Sequence, residues 1–363
     1  MSPAPRIIGL LKVKNEWPLA AVALVYALQH HVDVAYVLDH GSSDGTATGL
    51  AALQASPLGA RIHVVRFEEE AFIEEAFMNA LVEVAQASAP EWFYPFDADE
   101  ILIAPSGLRE LIESLPDTIN ALHYQVENWL STSDFDETNL NHYRVLQVRS
   151  LPDQPFSPSL DPRLVEAIIA GSFNYFRLPF GGKVIFRNTA SAWLAAGAHE
   201  LRPSIRAQSL FAHRQHLRCA HLPLLSRGRL ARKAAMGRRT IADGMAPWYN
   251  WQHQMIARLE ELRSLESFWA RHSWLPGGDP TQPTADGLRV AVDDSLQRAL
   301  GPTLDTLTDL RLDLSERCAA GAPADAPLSL PADLYRLALR ACAPHNARTP
   351  GHGPPPAAGA TLP

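Results

Sequence analysis

Short, nearly continuous apolar segments recur along the first hundred residues of the chain, and longer amphipathic segments separate them. Their length and their β-branched or aromatic content are typical of strands that are buried on both faces. Four such strands are predicted, at residues 6–13 (RIIGLLKV), 32–39 (VDVAYVLD), 61–67 (RIHVVRF) and 91–97 (EWFYPFD).

Helices are predicted between these strands, one running to about residue 29, a second over about 46–55 and a third over about 71–87. Asn15 is expected to cap the first helix, and Pro18 is tolerated in its first turn. Strands that alternate with helices through short connections predict right-handed crossovers. We therefore expect an α/β fold with a mainly parallel sheet flanked by helices.

The pattern is less regular after about residue 120. Residues 119–129 and 182–188 are predicted strands, and a basic stretch over 213–239 leads into predicted helices. The last twenty residues are rich in Pro, Gly and Ala and have no apolar periodicity, which predicts a disordered tail. We therefore predict three parts: a first domain over 1–240, a C-terminal helical extension over 241–343 and the tail over 344–363.

The composition excludes several classes of protein. With 47% hydrophobic residues, 20% charged residues and a formal net charge of −7, the chain is globular and lacks the basic character of a nucleic-acid binder. Its three scattered cysteines form no disulfide framework and no CxxC metal spacing. The longest apolar run, residues 19–28, is shorter than the ~20 residues of a membrane span. Because the N-terminus also lacks the pattern of a secretory signal, we expect a soluble, cytoplasmic protein.

Polar residues follow the predicted strands at their carboxyl ends. In open parallel sheets, ligands bind in the crevice beyond those ends. The residues there are Lys14, Asn15 and Glu16 after the first strand, Asp39, Ser42, Ser43 and Asp44 after the second, and Asp97, Asp99 and Glu100 after the fourth.

The sequence Asp97-Ala98-Asp99 is typical of a site for a hard divalent cation. Mn²⁺ and Mg²⁺ prefer oxygen ligands, and Mg²⁺ usually takes one or two carboxylates together with substrate phosphates and water. In an extended chain the side chains of Asp97 and Asp99 point to the same face. Glu100 is then expected to point elsewhere, toward a basic neighbour. An Asp-rich turn with no ligand is the alternative.

Three segments together resemble the family 2-type glycosyltransferases of GT-A fold: VKNEW (13–17), VLDHGSSDGT (37–46) and FDADEIL (96–102). They are most similar to a bacterial subgroup that pairs a D-x-D-E motif with a later H…S…K…G segment. The resemblance covers about residues 6–240. It implies a GT-A, Rossmann-like fold, a nucleotide-sugar donor (as a rule a UDP-sugar) and Mn²⁺ or Mg²⁺ as cofactor. The acceptor would be a hydroxyl-bearing glycan, lipid or small molecule, in surface-glycan or glycoconjugate synthesis.

The resemblance also implies roles for individual residues. The residues expected around the nucleotide are Lys14, Glu16, Asp39 and Asp44, with Asp39 at the base and Asp44 near the ribose. Asp97 and Asp99 are expected to serve the ribose and the metal-bound diphosphate. Asp39 and Asp44 could equally fill structural roles, as a turn residue and as a helix N-cap.

The later segment of the subgroup matches His221, Ser226, Lys233 and Gly237. By resemblance His221 completes the metal shell, and Lys233 contacts the diphosphate. Leu225 stands where the subgroup pattern leads us to expect an arginine.

Lys183 and His199 match a further GK-strand…GxH pattern of the subgroup, with no role implied. Gly181-Gly182 permits a close approach of the backbone just before Lys183.

We expect an inverting reaction, which needs a general base for the acceptor hydroxyl. The acidic residues on the expected acceptor-side loops are Glu127, Asp134, Asp136, Glu137, Glu166 and Glu200. No spacing singles one out, and Asp134 and Glu200 are the candidates we select.

Two other functions are open. A sugar-phosphate nucleotidyltransferase uses a related sheet and metal, but a Gly-rich loop usually follows its first strand, and KVKNEW has no glycine. A non-catalytic glycan- or partner-binding module on a transferase scaffold is the other alternative.

Overall fold

The computed structural model describes residues 6–67, 73–152, 161–189, 192–202, 208–247, 249–274, 278–279, 281–282, 284, 286–315, 328–329, 333–336 and 338. The predicted tail over 344–363 lies outside this range. The strands are β1 (Ile7–Val13), β2 (Val34–Asp39), β3 (Ile62–Arg66), β4 (Trp92–Phe96), β5 (Glu100–Ile103), β6 (Ile119–Leu130), β7 (Val148–Leu151), β8 (Lys183–Arg187), β9 (Trp193–Leu194), β10 (Leu201–Arg202), β11 (Gln208–Phe211), β12 (Arg218–His221), β13 (Arg289–Val292) and β14 (Leu328–Ser329). The helices are α1 (Leu19–His30), α2 (Thr46–Gln54), α3 (Glu74–Ala85), α4 (Leu108–Glu113), α5 (Leu140–Tyr143), α6 (Pro162–Ile169), α7 (Arg227–Ala242), α8 (Trp251–Glu261), α9 (Leu265–His272) and α10 (Ser295–Leu310).

The chain divides into two compact units. The first unit comprises residues 1–126, 182–219 and 299–363, and the second comprises residues 127–181 and 220–298. These units cut across the predicted first domain over 1–240. The predicted C-terminal extension contains helices α8, α9 and α10, but it also contains two short strands, β13 and β14.

The first unit is built on a mainly parallel sheet. β4, β1, β2, β3 and β14 lie side by side and run parallel, and β8 pairs antiparallel with the outer side of β4. Residues 121–124 of β6 pair antiparallel with β8. The predicted α/β class, a mainly parallel sheet flanked by helices, is confirmed.

Three of the four predicted strands form because they are apolar on both faces, whereas β3 has the partly exposed residues His63 and Arg66. Every residue of β2 and β4 is buried, as is all of β1 except Lys12, which is partly exposed. Ten residues of α1, from Leu19 to Leu28, are buried, so this helix is enclosed on all sides. Such burial stabilises the sheet by about 25 cal/mol per Å² of apolar surface removed from water.

The prediction that Asn15 caps α1 is wrong. The helix begins after Pro18, which occupies the N-cap position without a side-chain cap. Asn15 has a φ of 57°, in the left-handed region that asparagine tolerates better than most residues. Its side-chain oxygen accepts hydrogen bonds from the neighbouring loop instead, from the backbone N–H groups of Ser43 (2.7 Å) and Asp44 (3.2 Å).

The second unit has a separate core. Helices α6, α7, α8 and α9 pack around an apolar cluster that includes Tyr175, Phe176, Met255 and Trp269. Gly237 on α7 has a packing role, because a Cβ there would lie 1.9 Å from the backbone oxygen of His253 on α8. β7 pairs antiparallel with β13. No helix within the described residues is both long and apolar enough to cross a membrane.

Each unit contains a buried histidine held in the neutral form. In the first, His31 bonds through Nε2 to the backbone oxygen of Leu102 (2.8 Å). In the second, His272 bonds through Nδ1 to the oxygen of Phe268 (2.7 Å) and accepts at Nε2 from the N–H of Tyr175 (3.0 Å). Burial lowers the pKa of each imidazole to about 4.

We expect acid to destabilise the second unit through His272. Between about pH 6.5 and pH 4 the unfolded chain binds a proton that folded His272 does not, so the free energy of unfolding falls as the pH falls. His272→Gln retains a donor and an acceptor but does not titrate. Urea unfolding at pH 7 and pH 4.5 should therefore show a smaller loss for this variant than for the wild type, by about 2 kcal/mol. The exposed His213→Gln variant should lose as much as the wild type, and an equal loss in His272→Gln would contradict the assignment.

Candidate active site

The carboxyl ends of β1, β2 and β4 meet at one edge of the first unit's sheet. In the parallel register Val13 lies opposite Asp39, and Leu11 lies opposite Phe96. The segments that follow these strands are therefore neighbours. They are the three segments that carry the predicted motifs, and this edge is where ligands bind in open parallel sheets.

Hydrogen bonds join the loops that follow β1 and β2. Besides the bonds to its side chain, Asn15 donates its backbone N–H to Ser42 Oγ (3.0 Å). The backbone N–H groups of Glu16 and Trp17 both donate to Thr46 Oγ1 (3.1 Å each). The Trp17 ring packs on α2 at Gly49, where a Cβ would lie 2.3 Å from the ring. The two motif segments are thus held together by side chains that the motifs themselves contain.

The predicted nucleotide-contacting residues of these loops are all at this edge. Lys14 donates through Nζ to the backbone oxygen of His40 (2.9 Å). Asp39 is buried and accepts from the N–H of Ser42 (2.9 Å), so it shapes its own turn. Glu16 follows Lys14 and Asn15 and is half-buried. The binding roles of these residues stay predictions.

Asp44 has one structural and one unassigned carboxylate oxygen. Its Oδ1 accepts from the N–H of Thr46 at the start of α2 (2.8 Å), which is the capping role considered for it. Its Oδ2 is buried and has no hydrogen-bond partner among the described residues. A buried carboxylate oxygen without a partner is costly, so a ligand hydroxyl that donated to Oδ2 would stabilise this loop.

Asp97-Ala98-Asp99 is a tight turn, and the expectation of an extended segment is wrong. The N–H of Glu100 donates to the backbone oxygen of Asp97 (3.1 Å), and the N–H of Asp97 donates to Glu100 Oε2 (3.3 Å). Glu100 then begins β5, a strand the sequence did not predict. Ala98 and Asp99 are buried within this turn.

A chain of alternating charges surrounds Asp97. Lys12, on β1, contacts Glu74 Oε1 (3.0 Å) and pairs with Asp97 Oδ1. Lys183, at the start of β8, pairs with Asp97 Oδ2 (2.9 Å) and Glu100 Oε1 (2.9 Å). Both carboxylate oxygens of Asp97 therefore face an ammonium group. The expectation that Glu100 points to a basic neighbour is confirmed.

This chain of charges keeps its members ionised. Burial acts to raise the pKa of the Asp97 carboxyl, but the ammonium groups of Lys12 and Lys183 outweigh it and hold that pKa below its ordinary value. Burial acts to lower the pKa of both lysines, but Asp97 and their second carboxylate partners outweigh it and raise each pKa. Opposite charge therefore dominates over desolvation at this site.

The formal charge around this turn suits a cation. Four carboxylates (Glu74, Asp97, Asp99, Glu100) stand against two ammonium groups, a formal net charge of −2. Asp97, however, already has an ammonium group on each oxygen. Within the described residues, no three His, Cys, Asp or Glu side chains are grouped so as to hold a metal ion. The metal roles predicted for Asp97 and Asp99 stay predictions.

His221 and Lys233, the other predicted contacts, belong to the second unit. His221 is buried, bonds through Nδ1 to Asn128 Oδ1 (2.8 Å) and meets the ring of Phe180 edge-on. Lys233 is buried on α7, one turn after the equally buried Arg229, which sequence reasoning did not select. Their proposed contacts with metal and diphosphate stay predictions.

Ser226 is the N-cap of α7, which explains its place in the motif. Its Oγ accepts from the N–H of Arg229 (3.0 Å) and donates to the buried carboxylate of Glu137. Arg232 pairs with the same carboxylate (2.7 Å). Glu137 is thus a structural carboxylate of the second unit.

The two selected base candidates differ in their surroundings. Asp134 is exposed, and a hydrogen bond with the Thr132 side chain lowers the pKa of its carboxyl. A general base that works near neutral pH needs a higher pKa, which disfavours Asp134. Glu200, in the first unit, is half-buried and accepts at Oε1 from Arg202 Nε (3.3 Å).

The glycine–lysine pattern before β8 has a structural explanation. A Cβ on Gly182 would lie 2.7 Å from the backbone oxygen of Tyr124, so only glycine lets this segment approach β6 closely. His199 donates through Nδ1 to the Gly182 oxygen (2.7 Å). Both residues therefore fix the backbone from which Lys183 reaches Asp97. The close approach expected at Gly181-Gly182 is confirmed at Gly182.

Comparisons with known proteins place the chain only loosely. No protein-family profile matches the sequence, and no curated protein matches it. One similar solved structure is a mannosyltransferase from Pyrobaculum calidifontis in complex with GDP-Man and Mn²⁺. It matches 96% of this chain and 82% of its own, at 14% identity and a TM-score of 0.35. A mycobacterial protein matches 34% of this chain and 41% of its own, at 18% identity and a TM-score of 0.26. Neither likeness is close enough to carry an argument about this chain.

We expect Gly182→Ala to destabilise the first unit, by about 1–3 kcal/mol, because the added methyl group must push β8 away from β6. Gly301→Ala is the matched control. Gly301 lies inside α10, and nothing lies within 4 Å of an added Cβ there. Because Gly301 precedes Pro302, whose ring disfavours the helical region for a residue that has a Cβ, the gain in helix propensity is offset, and this second variant should differ from the wild type by less than ~1 kcal/mol. Chemical denaturation measures both, and equal stability of the two variants would contradict the packing assignment.

Proposed function

We propose that the protein is a glycosyltransferase that takes a nucleotide-sugar donor. The observation that supports this best is the meeting of three motif segments at the carboxyl ends of β1, β2 and β4. Each segment resembles the corresponding segment of GT-A enzymes of family 2, and their order along the chain is the same. The proposal rests on these segments together rather than on any single residue.

In the proposed complex, the nucleoside lies against the loops that follow β1 and β2. Lys14, Glu16 and Asp39 line this edge, and Asp44 Oδ2 is the buried acceptor that a ribose hydroxyl would satisfy. The loops are already joined through Asn15, so the nucleoside meets a preformed surface. Preformed sites lose less conformational entropy on binding. A UDP-sugar is the donor that the resemblance favours.

The diphosphate needs a cation at this edge, since the charges around the turn already sum to −2. We propose Mn²⁺ or Mg²⁺, with Asp99 as the protein ligand and the donor's phosphates and water as the others, a set these hard ions accept. The cation would stabilise the negative charge that develops on the leaving diphosphate. The position of Asp99 is fixed by the turn in which it lies, and its carboxylate would be the protein ligand of the cation.

The acceptor and its base belong to the same proposal. A hydroxyl group of a glycan, lipid or small molecule is the proposed acceptor, and inversion is the proposed outcome. Glu200 is favoured as base over Asp134, because the pKa of the exposed Asp134 carboxyl is lowered. Lys233 and His221 remain proposed contacts of the diphosphate and the cation.

Ligand-induced stabilisation tests the proposal. UDP, GDP and their sugar conjugates are added at about 1 mM with and without Mn²⁺, and the melting temperature is measured. A ligand at a hundred times its Kd adds about 2.7 kcal/mol, so the matching nucleotide should raise the melting temperature by roughly 3 °C or more, and only with Mn²⁺. Asp99→Asn should abolish that rise and lower sugar transfer at least ~100-fold. Glu91→Gln, an exposed carboxylate at the opposite end of β4, should change neither.

The other outcomes separate the alternatives. Pyrophosphate release from a nucleoside triphosphate and a sugar phosphate would favour the nucleotidyltransferase. A rise in melting temperature with glycans, and none with any nucleotide, would favour the binding module. Either result would replace the proposed function.

A further inference from the structure

Lys183 connects the two ends of the Asp97–Glu100 turn. It contacts Asp97 Oδ2 and Glu100 Oε1, both at 2.9 Å, and its side chain is only 6% exposed. Ala98 and Asp99 are the two residues between those contact points. The same ammonium group therefore closes the turn on which Asp99 is carried.

Without Lys183 this turn would be electrostatically unfavourable. Asp97 and Glu100 are like charges three residues apart, and the Glu100 side chain, at 4% exposed, has little access to water. The backbone hydrogen bond from the Glu100 N–H to the Asp97 oxygen holds the turn, but it does not offset repulsion between the buried Glu100 carboxylate and the Asp97 carboxylate, which is 28% exposed.

Lys12 holds the turn from the other side. It binds Asp97 Oδ1 and links it to Glu74 at the start of α3. Asp97 thus has one oxygen tied to β1 and the other to β8. The two ammonium groups in contact with Asp97 would repel a cation that approached it.

We propose that Asp97 is the counter-ion of Lys12 and Lys183 rather than a metal ligand, and that Lys183 is a positioning residue that sets the orientation of Asp99. The proposal deepens the proposed function and rests on it where it concerns the cation. The closing of the turn by Lys183 is independent of any ligand. The contacts of Gly182 and His199 fix the backbone next to Lys183, so they also help to position Lys183.

The test uses Lys183→Met, Lys183→Arg and a matched control, Arg187→Met. Arg187 lies over the Trp92 ring at the other end of β8, and Arg187→Met removes the same charge as Lys183→Met. Hydrogen exchange of the ligand-free protein is measured over residues 93–103. We expect Lys183→Met to accelerate exchange of the Glu100 amide at least ~10-fold, because the hydrogen bond from that amide to the Asp97 backbone oxygen opens. Arg187→Met should change the exchange little. Lys183→Arg should restore most of the protection.

Metal binding gives a second readout. Free Mn²⁺ is followed by electron paramagnetic resonance with UDP or GDP present. We expect Lys183→Met to weaken Mn²⁺ binding at least ~10-fold and Lys183→Arg to recover most of it. Asp97→Asn combined with Lys183→Met should lower the melting temperature by less than the sum of the two single changes, because each single change removes the same Asp97–Lys183 ion pair.

The readouts separate the two proposals. Unchanged exchange in Lys183→Met overturns the positioning role whether or not any nucleotide binds. Wild-type Mn²⁺ affinity in Lys183→Met, in a protein that does bind the Mn²⁺–nucleotide pair, overturns it as well. Absence of Mn²⁺–nucleotide binding by the wild type, with accelerated exchange in Lys183→Met, contradicts the proposed function and leaves the closed turn supported.

Discussion

The ion pairs of Asp97 are the constraint on which the candidate site depends. One carboxylate receives an ammonium group on each oxygen, from strands β1 and β8, and these lysines are shared with Glu74 and Glu100. Removing Lys183 would take one of the two ammonium groups from Asp97 and an ammonium partner from the buried Glu100, which is destabilising. The position of the turn after β4, and with it the position of Asp99, follows from this balance.

Much of the first unit's fold was predictable because it depends on burial. The first four strands are nearly continuous apolar runs, and their observed limits fall within two residues of those predicted. Eight of the strands in the described residues, β5, β7 and β9 to β14, were missed, since each has four residues or fewer. All of them except β9 and β10, which pair with each other, depend on distant segments for their pairing. Asn15 was misassigned for a similar reason. Its side chain accepts hydrogen bonds from Ser43 and Asp44, which lie 28 and 29 residues further along the chain, instead of capping the helix that follows it.

The site was predictable in its location and less so in its charges. The strand-end rule brought the three motif segments together, but Asp97 and Asp99 could not be told apart from their spacing alone. The residues that distinguish Asp97 from Asp99 are Lys12 and Lys183, which both pair with Asp97. Lys12 carried a usable signal, because a lysine within a run of buried residues needs a carboxylate partner. Lys183 carried a weaker one, and only the fold brings it to Asp97, 86 residues away in the sequence.

The most direct test of this account is the location of Mn²⁺ in a crystal grown with the nucleotide that stabilises the protein. An anomalous difference map at the manganese edge identifies the ion and its ligands. The account predicts a single peak beside the diphosphate with Asp99 as a carboxylate ligand, while Asp97 still contacts Lys12 and Lys183. A peak ligated by Asp97, with either lysine displaced, would contradict it.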